Sequence, residues 1–202
     1  MSDSEEAARW REKMARRKAV QDAEVAGKTI TRGLLMVHTG PGKGKSTAAM
    51  GLALRMLGRG RPVAIIQFIK GAWSTGERFA FEAFGDQLTW HSMGEGFTWE
   101  TQDRARDMAA CARAWAEAEA QMARAELGLL VLDELCIALR YEYLALDAVL
   151  AVLAARRDDL HVVVTGRNAP AALIAAADLV TEMQAVKHPY KAGVKAQEGI
   201  EF

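Results

Sequence analysis

Nine consecutive residues, Thr39-Gly40-Pro41-Gly42-Lys43-Gly44-Lys45-Ser46-Thr47, constrain this chain more than any other stretch. An apolar run, residues 33–38, leads into them, and a helical pattern carried by Met50, Leu54 and Leu57 leads out to Gly58. Strand, glycine-rich loop and helix in that order make a phosphate cradle. The glycines bring the backbone close to a ligand and turn N–H groups inward, while Lys45 and the Ser46 hydroxyl address phosphate oxygens and a magnesium ion. The spacing is shifted by one residue, since G-x-x-x-x-G-K-[ST] wants glycine where Thr39 stands and the first glycine is Gly40.

A loop of this kind needs a parallel sheet behind it, and the chain supplies one. Residues 62–69 are apolar nearly throughout, as a strand covered on both faces must be. The loop after them carries Lys70, Trp73, Ser74, Thr75, Glu77 and Arg78 at the carboxyl end of a strand, where open α/β sheets hold ligands. Residues 88–93 read as a third strand. Its exit, residues 94–101, holds Phe97 and Trp99 after Gly94 and Gly96, which fits either packing on the core or the wall of a pocket for a large flat ligand. A long helix is predicted from Thr101 or Asp103 to about residue 126, with Met108, Trp115 and Met122 as its core stripe.

Residues 129–132 then run straight into Asp133-Glu134, and an acid pair ending an apolar strand suits a hard cation bound to phosphates. A helix over 144–153, a strand over 160–165 ending at Gly166-Arg167, a helix over 171–177 and a last strand over 179–183 complete the pattern. Arg167 falls on the ligand edge, placed for two-point binding of phosphate or for a surface ion pair. The fold class is therefore α/β: a three-layer P-loop nucleotide-binding fold with a mostly parallel central sheet flanked by helices, plus an N-terminal helical arm. Residues 1–28 form the basic arm, either a solvated tail or a lid, and 29–202 the P-loop domain.

Composition narrows the partners. Lys+Arg and Asp+Glu both number 26, so no global field draws the chain to nucleic acid or an acidic membrane. Cys111 and Cys136 lack C-x-x-C spacing, the four histidines do not cluster, and no apolar run has membrane-spanning length. Reduced thiols and a cytoplasmic location are expected.

G-x-G-K-G-K-[ST]-T, Q-F-I-K-G, G-E-R, G-F-T-W-E-T, L-D-E-L, T-G-R and K-A-G-V-K-A-Q-x-G-I-E occur here in order. With them the chain resembles the cob(I)alamin (corrinoid) adenosyltransferases over nearly its whole length. That resemblance implies adenosyl transfer from ATP to cobalt(I) of a corrinoid with release of triphosphate. ATP and the corrinoid are substrates, and magnesium, on Ser46 with Asp133 or Glu134 and slightly favouring Glu134, is the cofactor. It implies an ATP site over Thr39, Gly40, Pro41, Gly42, Lys43, Gly44, Lys45, Ser46, Thr47 and Arg167. Phe97 and Trp99 would pack beneath the corrin, Lys70 and Trp73 would line its cleft, and Lys45, Phe97 and Trp99 would be the catalytic groups. It further implies a homodimer whose arm closes over the site, a reducing flavoprotein as partner, and ATP held in the reverse of the usual direction, for which Thr39 and Lys43 are sequence correlates. Pro41, where the family commonly has asparagine, removes an N–H and an amide and puts one contact in doubt. From the residues alone, a P-loop ATPase or kinase and a non-catalytic ATP-dependent corrinoid carrier stay open. The acceptor, whether cobalamin, cobinamide or a cobyrinic acid a,c-diamide, is not specified by any residue.

Overall fold

The computed structural model describes residues 3–69, 76–92 and 103–200. The chain divides into two compact units, residues 1–32 and 33–202.

The first unit holds helix α1, Asp3–Ala26. Its large apolar residues Trp10, Val20 and Val25 are exposed, so no apolar stripe holds it together. Ion pairs one turn apart support it instead: Glu12–Arg16, Lys18–Asp22 and Glu24–Lys28.

The second unit is built on β1 (Leu35–Thr39), α2 (Lys45–Leu57), β2 (Val63–Gln67), α3 (Gly76–Phe81), β3 (Leu88–Ser92), α4 (Arg104–Met122), β4 (Leu129–Asp133), α5 (Leu135–Arg140), α6 (Leu146–Ala154), β5 (His161–Thr165), α7 (Ala171–Ala176) and β6 (Leu179–Glu182). The six strands lie in the order β3-β2-β4-β5-β1-β6, and every pairing is parallel. Alternate strand residues feed two separate cores. Val37, Ile66, Leu132 and Val164 face α4, α5, α6 and α7. Met36, Ile65, Val131 and Val163 face α2. Burial on both faces is why β2, β4 and β5 read as unbroken apolar runs.

Some expectations hold and others need correction. Helix α4 starts after Asp103, whose carboxylate accepts the Arg106 N–H at 3.1 Å, and ends at Met122 rather than near residue 126. The proposed stripe is incomplete: Trp115 and Met122 are buried, but Met108 is 39% exposed. Strand β6 is an edge strand, exposed at all four residues. Helix α5 has too few residues for a periodic signal and was not expected. Both cysteines are free and buried, and desolvation pushes each thiol up to about 12.

Candidate nucleotide site

The parallel sheet brings the ends of β1, β4 and β5 to one edge, and the candidate residues gather there. Gly40 has φ 97°, a conformation that costs a residue with a Cβ, and it starts the cradle directly after β1. Thr39 still belongs to the strand, where it pairs with Glu182, and its Oγ accepts the Ala169 N–H at 3.1 Å. The displaced glycine thus has a local explanation: position 39 ties β1 to the segment after β5, and the turn begins one residue later.

The cradle rests on the chain just after β6. The Gly42 N–H donates to the Met183 carbonyl at 2.6 Å. A Cβ on Gly40 would lie 2.6 Å from the Met183 oxygen, and one on Gly42 would lie 2.7 Å from the Gln184 oxygen. These glycines permit backbone contact underneath the loop, and the Gly42 N–H is already committed there. The sequence carries no signal for Met183 and Gln184, because both act through main-chain atoms.

Lys45 is buried at the first position of α2, and its ammonium donates to the Gly40 carbonyl at 2.9 Å and the Gly42 carbonyl at 2.6 Å. Two of its three N–H bonds are fixed by the loop, which leaves one for a ligand. Burial, followed by the nearby Arg167 charge, lowers its pKa from the ordinary lysine value. An anion placed beside it would favour the charged form.

Asp133, fully buried, organises the acid side. It accepts from Ser46 Oγ at 2.7 Å, Thr165 Oγ1 at 2.8 Å and Gln67 Nε2 at 2.9 Å. Because Ser46 gives its proton to Asp133, its oxygen lone pairs are turned away from that carboxylate. Glu134 has φ 62°, an uncommon conformation for a side chain of this size, and its N–H is held by Thr165 Oγ1 at 2.9 Å. Gly166 (φ 137°) lies where a Cβ would come within 2.7 Å of Cys136 Cβ, so only glycine lets β5 turn there and carry Arg167 to the edge.

A cavity of about 560 Å³ is lined by Gly42, Lys43, Gly44, Lys45, Ser46, Thr47, Glu77, Glu134 and Arg167, with Gly76, Ala80, Gly199 and Ile200. Its size is that of a small-ligand pocket. Pro41 is at a neighbouring cavity of about 510 Å³, shared with Lys43, Arg167, His188, Tyr190 and Lys191. Thr39, Gly40 and Asp133 do not line the larger cavity, whereas Glu134 does. Lys70, Trp73, Phe97 and Trp99 lie outside the described residues.

The donor set suits magnesium. Ser46 and Glu134 offer oxygen at the cavity, and no group of three His, Cys, Asp or Glu among the described residues could cage a metal alone. Magnesium bound with phosphates needs only one or two protein oxygens. Two residues of this cluster were missed from sequence, Thr165 and Gln67. The available signal was a polar residue closing each of two strands with apolar interiors, at the ligand edge.

Residues 31–202 match the family ATP:corrinoid adenosyltransferase BtuR/CobO/CobP, and residues 1–25 match Cob(I)alamin adenosyltransferase N terminal. The chain belongs to the ATP:corrinoid adenosyltransferase family. It is 55% identical to a corrinoid adenosyltransferase of Pseudomonas aeruginosa, covering 96% of each chain. It is 49% identical to one of Sinorhizobium sp (96% and 92% covered) and 42% identical to one of Escherichia coli K12 (96% and 98% covered). Among the described residues, no helix is long and apolar enough to cross a membrane.

Proposed function

We propose that the chain is an ATP:corrinoid adenosyltransferase that moves the 5′-deoxyadenosyl group of ATP to cobalt(I) of a corrinoid and releases triphosphate. The observation that carries this reading is a cavity lined by the glycine loop, Lys45, Glu134 and Arg167 in a chain of this family. In the transfer, the cobalt electron pair forms a bond to C5′ as the bond from C5′ to the triphosphate oxygen breaks. The leaving triphosphate takes that second pair, and no proton moves.

Stabilising the leaving group is then the main electrostatic task. Lys43, Lys45, Arg167 and the loop N–H groups carry it, with the Gly42 N–H set aside for Met183. Ser46 and Glu134 would hold magnesium, with Asp133 orienting Ser46 from behind; the ion supplies charge neutralisation along the triphosphate. Thr39 and Gly40 shape the cradle, Thr47 lines it, and Pro41 borders it from the adjoining cavity. Phe97 and Trp99 would form an apolar wall against the corrin, offering no lone pair to the lower face of cobalt, and Lys70 and Trp73 would line the same cleft.

Residues 1–28, of which 1–25 match the family's N-terminal model, are read as an arm and 29–202 as the transferase domain; closure of the arm over the site of a homodimer is part of the same proposal. A cytoplasmic setting and a reducing flavoprotein partner belong to the same reading.

The test is an anaerobic reaction of the full chain with ATP, magnesium and chemically reduced cobalamin. Loss of the cobalt(I) absorbance with one triphosphate released per adenosylated product is expected. ADP and phosphate without adenosylation would overturn the reading in favour of an ATPase.

A further inference from the structure

The acid cluster does not end at Asp133. Gln67 closes β2, 4% exposed, in register with Asp133 on one side and Ser92 on the other. Its Nε2 donates to Asp133 Oδ2 at 2.9 Å. Its Oε1 accepts from Ser92 Oγ at 2.7 Å and from Trp90 Nε1 at 3.1 Å. Chemistry fixes the direction of this amide, since the carboxylate is an acceptor and the indole N–H can only donate. Reversing it would set oxygen against oxygen and N–H against N–H. Trp90 is itself seated, with its ring centroid 5.9 Å from that of Phe81.

A chain of hydrogen bonds therefore links Ser46 in the phosphate cradle through Asp133 and Gln67 to Trp90 and Ser92, with donation from both ends converging on the Asp133 carboxylate. Ser92 is the last residue of β3, and the sequence after it, 93–102, carries Phe97 and Trp99.

We propose that Gln67 is a positioning residue that links the phosphate and metal side of the site to the end of β3, and so aligns the acceptor side with bound nucleotide. The proposal rests on the reading of Phe97 and Trp99 as the corrinoid wall. Gln67 touches no reacting atom; it fixes the Asp133 carboxylate, which sets the Ser46 hydroxyl, and it fixes the strand end from which residues 93–102 depart. In-line transfer depends steeply on such alignment, so its loss falls on kcat more than on nucleotide affinity.

The test uses the full chain with ¹⁵N-labelled tryptophan, whose five indole N–H signals are separable by NMR. The Trp90 signal is the one missing from Trp90→Phe. MgATP is the probe, and calorimetry measures its binding independently. In the wild type the Trp90 signal should shift with the same saturation as calorimetric binding. In Gln67→Met, MgATP should still bind and the Trp90 shift should vanish. The kcat for adenosylation should fall about tenfold, with KM for ATP within about threefold, the scale of a lost hydrogen bond to a charged group.

Should Gln67→Met not fold, Ser92→Ala at the exposed strand end decides, with a diminished Trp90 shift expected and an unchanged one overturning the link. A wild-type Trp90 signal that ignores bound MgATP, or a Gln67→Met protein with full shift and full kcat, would also overturn it. MgATP that binds, with no adenosylation by the wild type, would remove the corrinoid reading instead, and this proposal with it.

Discussion

Thr165 holds Asp133 and the Glu134 backbone with one hydroxyl, donating to Asp133 Oδ1 at 2.8 Å and accepting the Glu134 N–H at 2.9 Å. It can do both because β5 lies between the acid strand β4 and the cradle strand β1. Thr165→Val keeps the shape and removes both bonds, at a position where the Asp133 carboxylate is fully buried. We expect a stability loss of about 2–3 kcal/mol by urea unfolding, the cost of a buried hydrogen bond to a charge. The kcat/KM for ATP should drop at least tenfold, and Thr165→Ser should restore most of both. A Thr165→Val protein of wild-type activity would show that Glu134 keeps its backbone conformation unaided.

The odd first position of the glycine loop supports a second prediction. Thr39→Gly would restore the usual spacing, yet it removes the oxygen that accepts the Ala169 N–H. We expect it to lower stability by about 1 kcal/mol and not to improve ATP affinity. Gly40→Ala should be worse, because its φ is 97° and the new Cβ would meet the Met183 backbone at 2.6 Å. Calorimetric ATP binding with thermal unfolding of the two variants checks the order. Tighter ATP binding by Thr39→Gly would return position 39 to the nucleotide.

That comparison shows what the sequence could and could not carry. The order of strands and helices was legible because β2, β4 and β5 are buried on both faces and cannot contain exposed polar residues. Lys45 and Ser46 stood out as candidates because loop spacing marks them, and Asp133 because an apolar strand runs straight into it. Thr39 was ambiguous because a spacing rule does not say what a departing side chain binds. Gln67 and Thr165 act on Asp133 from neighbouring strands, and their register is a property of the sheet. Met108 failed as a core residue because α4 turns that position outward, which periodicity over 19 residues does not resolve to a single turn.

At the opposite end of the sheet, His161 gives a pH-dependent stability. Its Nδ1 accepts the Leu34 N–H at 3.2 Å, which requires a neutral ring nitrogen. Burial, with Arg61 and Arg156 nearby and only partly offset by Asp159, lowers its pKa below 6.5. Above that value the ring is neutral in both folded and unfolded chains. On acidification the unfolded chain takes the proton first, so stability is lost as pH falls. The urea midpoint should decrease as pH is lowered through 6.5, and His161→Asn, which keeps an acceptor without the titration, should decrease less. Equal slopes would assign the acid loss to other groups.

The two sides of the proposed transfer should fail in different parameters. Lys45 sits against the Gly40 and Gly42 carbonyls and lines the cavity, so Lys45→Met removes charge where triphosphate would develop it. Both ATP binding and kcat should fall, the latter by about a hundredfold or more, as for loss of an electrostatic stabiliser. Trp99→Ala should leave calorimetric ATP binding within about threefold of wild type and lower adenosylation of cobalamin at least tenfold, because a corrin wall acts on the acceptor alone. Equal losses of ATP binding and transfer in Trp99→Ala would place that residue with the nucleotide. Unchanged transfer would place it in the fold, and the apolar wall would then have to be sought among other residues of the acceptor side.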